Sequence, residues 1–217
     1  MLEILHIYFG NFVRTLVFIT FLVCSFSLKF KKKEHTILFL ILLVCFCAEA
    51  LNAIFKFYGK STAAGSNITT ILYYGLWLML IGYEVQFKKI YSFILCLFFI
   101  VALLNITLFE GINEFDFSTY IIGAFVYIST FIYESFRQLK RENFNYFLSN
   151  RFLLYSAPVP LMLGLSFYFG FKDISLGEYI VFSRFKFYDF ICYSVNFISY
   201  ALLNIYVYRE VRKNETP

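Results

Sequence analysis

The chain alternates between long apolar runs and short polar interruptions. A helix rising about 1.5 Å per residue needs roughly 20 mostly apolar residues to cross the hydrocarbon layer of a bilayer. Runs of that length fall at 7–28, 36–58, 68–87, 90–109, 118–137, 152–171 and 187–208. They are continuously apolar rather than alternating, which disfavours a membrane β-barrel. The first run is expected to be retained rather than cleaved. Arg14 interrupts it, no small-residue cleavage site follows, and Lys29 to Lys33 close its far side. The pattern therefore predicts an all-α bundle of seven transmembrane helices, with residues 1–217 forming a single transmembrane domain.

Composition strengthens this expectation. Hydrophobic residues make up 60% of the chain and charged residues only 15%, against roughly 45–50% and about 25% in a soluble domain. Aromatic residues reach 23%, and the mean hydropathy is +0.71. There is too little polar surface for a cytosolic enzyme, a disordered tail or a secreted disulfide scaffold. Cys24, Cys45, Cys47, Cys96 and Cys192 sit inside apolar runs and read as small hydrophobes.

The net charge of +5 reads as a topology signal, with no nucleic acid expected as a partner. Thirteen of the 19 Lys and Arg fall on one side of the predicted helices: Lys29, Lys31, Lys32, Lys33, Lys88, Lys89, Arg137, Lys140, Arg141, Arg151, Arg209, Arg212 and Lys213. Lys56, Lys60, Lys172, Arg184 and Lys186 fall on the other, and Arg14 lies within a run. Positive residues remain on the cytoplasmic side, so the N-terminus is expected outside and the C-terminus inside. The Lys-, Ile-, Phe- and Asn-rich usage suggests a bacterial, multi-pass inner-membrane protein. The Asn67-Ile-Thr69 and Asn105-Ile-Thr107 sequons would then be idle.

Ionisable groups within a membrane are costly and normally face the bundle interior. Toward the outer half lie Arg14, then Glu49, Asn52 and Lys56 at helical spacing on the second helix, then Asn105, Asp189 and Asn196. On the last helix Asp189, Tyr193, Asn196, Tyr200 and Asn204 make one stripe; Tyr73, Trp77, Leu80 and Glu84 make another on the third. Arg14, Glu49, Asn52, Asn105, Asp189 and Asn196 are thus candidates for holding a small or lipid-like ligand. The same residues could instead pair for packing, and Arg14 and Lys56 could reach the headgroups. Glu84 and Glu134, near Lys88 and Arg137, read as interface ion pairs. Pro158 and Pro160 remove two backbone donors from the sixth helix and predict a kink or hinge there.

Motifs for catalysis are missing from the sequence. The last run has no lysine for retinal; no set of intramembrane histidines could bind a metal; and no Ser–His pair, second intramembrane Asp or phosphate loop occurs. No catalytic residue, metal site or cofactor is expected.

Several short segments carry a resemblance. They are Cys47-Ala48-Glu49-Ala50-Leu51-Asn52, Asn67 in the following connection, Tyr83-Glu84, and Phe109-Glu110-Gly111-Ile112-Asn113-Glu114-Phe115. Ser166-Phe167-Tyr168-Phe169-Gly170, Ser194-Val195-Asn196 and Leu203-Asn204-Ile205 complete the set. Across nearly its whole length the chain resembles a loosely defined family of seven-helix inner-membrane proteins of Bacteroidetes, described as sensor-like. The resemblance implies action with a separate sensory histidine kinase.

The resulting expectation is a receptor or sensor subunit that binds its ligand in the outer half. It would signal to a membrane or cytoplasmic partner through the basic residues Arg137, Lys140, Arg141 and Arg151. An oligomer is left open. A secondary transporter or channel subunit, and an accessory subunit without a ligand, are the rivals. A lipid-modifying enzyme ranks last.

Overall fold

The computed structural model describes residues 2–170, 179–181 and 185–215. It is all-helical apart from one short strand pair, with 82% of residues in helix. The helices are α1 (Leu2–Phe9), α2 (Phe12–Ser27), α3 (Lys33–Phe57), α4 (Ala63–Ile81), α5 (Lys88–Leu104), α6 (Phe117–Lys140), α7 (Phe144–Leu148), α8 (Asn150–Ser156), α9 (Val159–Gly170) and α10 (Phe187–Glu215). Strands β1 (Ile180–Val181) and β2 (Phe185–Lys186) pair antiparallel just before α10. The predicted loop from 172 to 186, with Lys172 and Arg184, lies largely outside the described residues.

Six helical stretches are long and apolar enough to cross a membrane: α3, α4, α5 with the π-helical turn Asn105–Phe109, α6, α8 with α9, and α10. The seventh expected run, 7–28, is not one helix. Asn11 ends its first part by turning its side-chain oxygen onto the backbone N–H groups of Val13 and Arg14, at 3.0 and 3.3 Å. This N-cap starts a fresh helix, and it leaves α2 with 16 residues, about 24 Å long at the helical rise.

The third run also differs from its expected bounds. Helix α4 stops at Ile81, and the Lys88 ammonium donates to the Gly82 and Tyr83 carbonyls beyond it, at 2.8 and 2.6 Å. Glu84 therefore sits in the connection after the helix rather than on it. The sixth run is interrupted where the prolines fall, between α8 and α9 at Ala157–Pro158.

The core is a buried aromatic and aliphatic column: Leu38, Leu42, Trp77, Tyr127, Leu154, Tyr155, Leu203 and Tyr206. Small residues let helices approach each other. A Cβ on Gly123 of α6 would lie 2.6 Å from the Tyr74 ring of α4, and one on Gly164 of α9 would lie 2.5 Å from Val195 of α10. Close backbone approach of this kind drives packing where lipid removes the hydrophobic incentive.

Helix α6 closes with the Asn143 N–H on the Gln138 carbonyl (3.1 Å) and the Glu142 N–H on the Leu139 carbonyl (2.9 Å). Glu142 is held at φ +54°, where glycine is the favoured residue. Glu142→Gly is expected to stabilise the protein by about 1 kcal/mol and raise the unfolding midpoint by about 3 °C. Differential scanning fluorimetry in detergent or nanodiscs reads this directly; an unchanged or lower midpoint would contradict it.

Candidate functional site

The strongest candidate site is a chamber of about 250 Å³ near the C-terminal end of α3, walled by α2, α3, α4, α6, α9 and α10. Its polar wall comes from Glu49 and Asn52 on α3, Ser66, Thr69 and Thr70 on α4, and Asn196 on α10. Its apolar wall comes from Tyr73, Tyr120, Tyr200, Phe115, Phe169 and the leucines Leu161 and Leu165. The thiols of Cys45 and Cys192 also face it.

Arg14 lies behind this wall rather than in it. Its Nε donates to Glu49 Oε2 at 2.9 Å, and its Nη1 donates to the Ile7 carbonyl at 3.1 Å. One guanidinium thus neutralises the chamber's carboxylate and ties the end of α1 to α2. The side chains of Arg14 and Glu49 keep 11% and 29% of their surface exposed, so the pair is substantially desolvated and its partners depend on each other.

The other candidates divide. Asn52 and Asn196 line the chamber, and Asn196 anchors itself by donating to the Cys192 carbonyl at 2.8 Å. Asp189, half-buried at the start of α10, does not pair with Arg14 and does not line the chamber. Asn105 is engaged elsewhere. It donates to Asp116 Oδ1 at 2.5 Å and to Thr119 at 3.3 Å, while Asn67 grips the Glu114 carbonyl and the Asp116 N–H at 2.8 and 2.9 Å. Glu110 adds hydrogen bonds to the Phe117 and Ser118 N–H groups and to the Ser118 hydroxyl. Both sequon asparagines therefore fix the connection that carries Phe115 into the chamber wall.

Sequence reasoning overlooked the α4 contribution. Its signal was present: Ser66, Thr69, Thr70 and Tyr73 follow the i, i+3, i+4, i+7 spacing of one helix face.

At the opposite end of α3 and α10 the side chains are strongly charged. Glu210 accepts from Lys32 at 2.7 Å and from Asn150 at 2.9 Å, and lies 3.3 Å from His35 Nε2. Arg151 reaches Glu84 at 3.0 Å and Glu34 at 3.4 Å. All of these groups except His35 line a cleft of about 780 Å³. Arg137 is paired with Glu134 and also donates to the Glu84 carbonyl at 3.0 Å and to Gln86 at 3.2 Å. Arg141 donates to the same Gln86 oxygen at 3.3 Å. Of the four residues expected to meet a partner, Arg137, Arg141 and Arg151 thus already bond within the chain, and Lys140 is exposed. Below this corner burial pushes the Tyr146 phenol above its ordinary range, reinforced by nearby Glu84 and Glu134.

Between the chamber and the cleft lies the core column of Leu42, Trp77 and Leu203. The polar stripe of α10 is broken there, since Asn204 turns to Thr20 of α2, donating to its hydroxyl at 2.8 Å.

Arg14→Met or Glu49→Gln alone is expected to cost about 2 kcal/mol, because each strands the other partner in a partly desolvated site. The double variant should recover about 1–2 kcal/mol of the summed loss. A double-mutant cycle by thermal unfolding checks this, and strictly additive losses would mean that the two groups are solvated independently.

Comparisons of the chain with models of protein families, with curated proteins and with solved structures find no match.

Proposed function

We propose that the protein is a membrane receptor subunit whose chamber takes a small amphipathic ligand carrying a hydrogen-bond donor. The observation that supports this is the chamber itself, a mostly aromatic and aliphatic pocket with one carboxylate, two amides and three serine or threonine hydroxyls in its wall. Few polar groups among many apolar ones are the usual composition of a small-molecule site. Glu49 and Asn52 offer acceptor oxygens, so an amine or alcohol head fits better than a carboxylate.

A route for the response exists in the same helices. Leu161 and Leu165 bring α9 into the chamber wall, and α9 is joined to α8 through the Ala157–Pro158 break. Helix α8 begins with Asn150 and Arg151, which bond to Glu210, Glu34 and Glu84. A ligand that favours one position of α9 would bias this charged end, provided that its affinity for the two arrangements differs. A separate kinase or other membrane partner would read the change there.

The proposed topology has seven crossings, with the N-terminus outside and the C-terminus in the cytoplasm of a bacterial inner membrane. Helix α2 is short for a crossing, but it runs antiparallel to α3 from the Arg14–Glu49 pair to the contact of His35 Nδ1 with the Lys29 carbonyl, at 2.9 Å. A transporter is the second reading, supported by the cleft at the other end of the same helices. It requires opening of the apolar column between the two.

Two experiments test these readings. In thermal unfolding, hexylamine or hexanol at ten times its dissociation constant should stabilise the protein by about 1.4 kcal/mol, whereas hexanoate should not. Leu165→Trp, which fills the chamber, should abolish the effect; failure of both hexylamine and hexanol, or an effect that survives Leu165→Trp, would overturn the receptor. Single cysteines introduced near residues 3 and 213 of a cysteine-free variant should label from opposite sides of the membrane. Labelling of both from one side would overturn the seven-crossing topology.

A further inference from the structure

The corner formed by the end of α6 and the start of α5 combines an apolar groove with a charge imbalance. On the outer surface of the bundle, Ile132, Tyr133 and Phe136 of α6 wall a groove of about 480 Å³, with Arg137 and Lys140 at its end. A second groove of about 260 Å³, walled by Ile90 and Ile94 of α5, meets it at Ser129 and Tyr133, which line both. The first lies along one face of α6 and the second between α5 and α6, and together they form a trough that ends at the polar boundary.

Five cations gather at that boundary: Lys88, Lys89, Arg137, Lys140 and Arg141. The carboxylates beside them are Glu134, which is buried against Arg137, and Glu142. Glu84 contributes only its carbonyl to this corner, since its carboxylate faces Arg151. Arg137 and Arg141 meanwhile donate to a single neutral oxygen, Gln86 Oε1. Arg137 is neutralised by Glu134, whereas Arg141 donates to the neutral Gln86 oxygen and Lys140 is exposed, so a phosphate ester beside those two would gain charge-assisted bonds.

We infer that this corner is a site for an anionic phospholipid, with its acyl chain along the α5–α6 trough and its phosphodiester beside Arg141 and Lys140. Any lipid can fill the apolar trough, so headgroup selectivity comes from the cations. Basic pockets between helices at the cytoplasmic boundary are suited to such headgroups.

The full-length protein is reconstituted in nanodiscs of phosphatidylcholine, alone or with phosphatidylglycerol as a quarter of the lipid. Phosphatidylglycerol is expected to raise the unfolding midpoint by about 3 °C and to be enriched in the lipid retained after detergent extraction. Lys140→Gln with Arg141→Gln should remove both effects, and so should Ser129→Trp, which blocks the trough while leaving every charge in place. Lys29→Gln with Lys31→Gln, an equal charge loss at exposed positions of the same end, should preserve them. The site is overturned if phosphatidylglycerol has no effect, or if the control pair removes the effect as fully as the Lys140 and Arg141 pair does. It is likewise overturned if Ser129→Trp leaves the effect intact, or if inorganic phosphate in phosphatidylcholine nanodiscs reproduces it.

Discussion

A polar group inside a bilayer has no water to turn to, so the chain itself must provide its partner. That constraint explains most of the polar contacts in this bundle. Arg14 is divided between a carboxylate and a carbonyl. Asn196 and Asn204 each return a donor to their own helix, four residues back, and Asn204 also reaches Thr20. The Tyr127 hydroxyl donates to the Tyr155 carbonyl at 2.8 Å, beside the proline break. Such bonds either span two helices, as Asn204–Thr20 and Tyr127–Tyr155 do, or return a donor to the same helix, so some of them satisfy polarity and hold the bundle together at once.

The large-scale fold was legible because it depends on averages over about 20 residues, which is what hydropathy measures. Features that turn on a single side chain were not. Asn11 looks like any polar residue in a run, yet its side chain begins a new helix and divides the first predicted span. Lys88 looks like a boundary charge, and it ends the preceding segment by taking up the carbonyls after α4. The prolines were the exception, because a missing donor is written in the covalent structure.

The candidate site was legible in the same uneven way. Helical spacing identifies which residues share a face, and Glu49 and Asn52 do share the chamber wall. Spacing says nothing about which neighbour that face meets. Arg14, Glu49 and Asp189 share the outer half by depth, and the structure pairs Arg14 with Glu49. Asn105 is held away from the chamber for a related reason. Its partners, Asp116 and Thr119, lie across a connection whose path no periodicity describes.

The arrangement also indicates which element can move most cheaply. Helices α3 and α10 have unbroken backbone ladders from the chamber to the charged cleft, and shifting either would disturb bonds at both ends. Pro158 and Pro160 have no N–H to donate, so the carbonyls of Leu154 and Ser156 lack their helical partners from the outset. Bending between α8 and α9 therefore breaks fewer bonds than bending within α3 or α10. Its nearest anchor is the Tyr127–Tyr155 bond, and Leu161 and Leu165 lie on the chamber side of it. A receptor asks only that α9 tilt at this break, with the apolar column intact. A transporter asks that Leu42, Trp77 and Leu203 also part, exposing a buried indole and two buried leucines. The smaller demand falls where the backbone is already interrupted, and for that reason the receptor is the better account of the chamber.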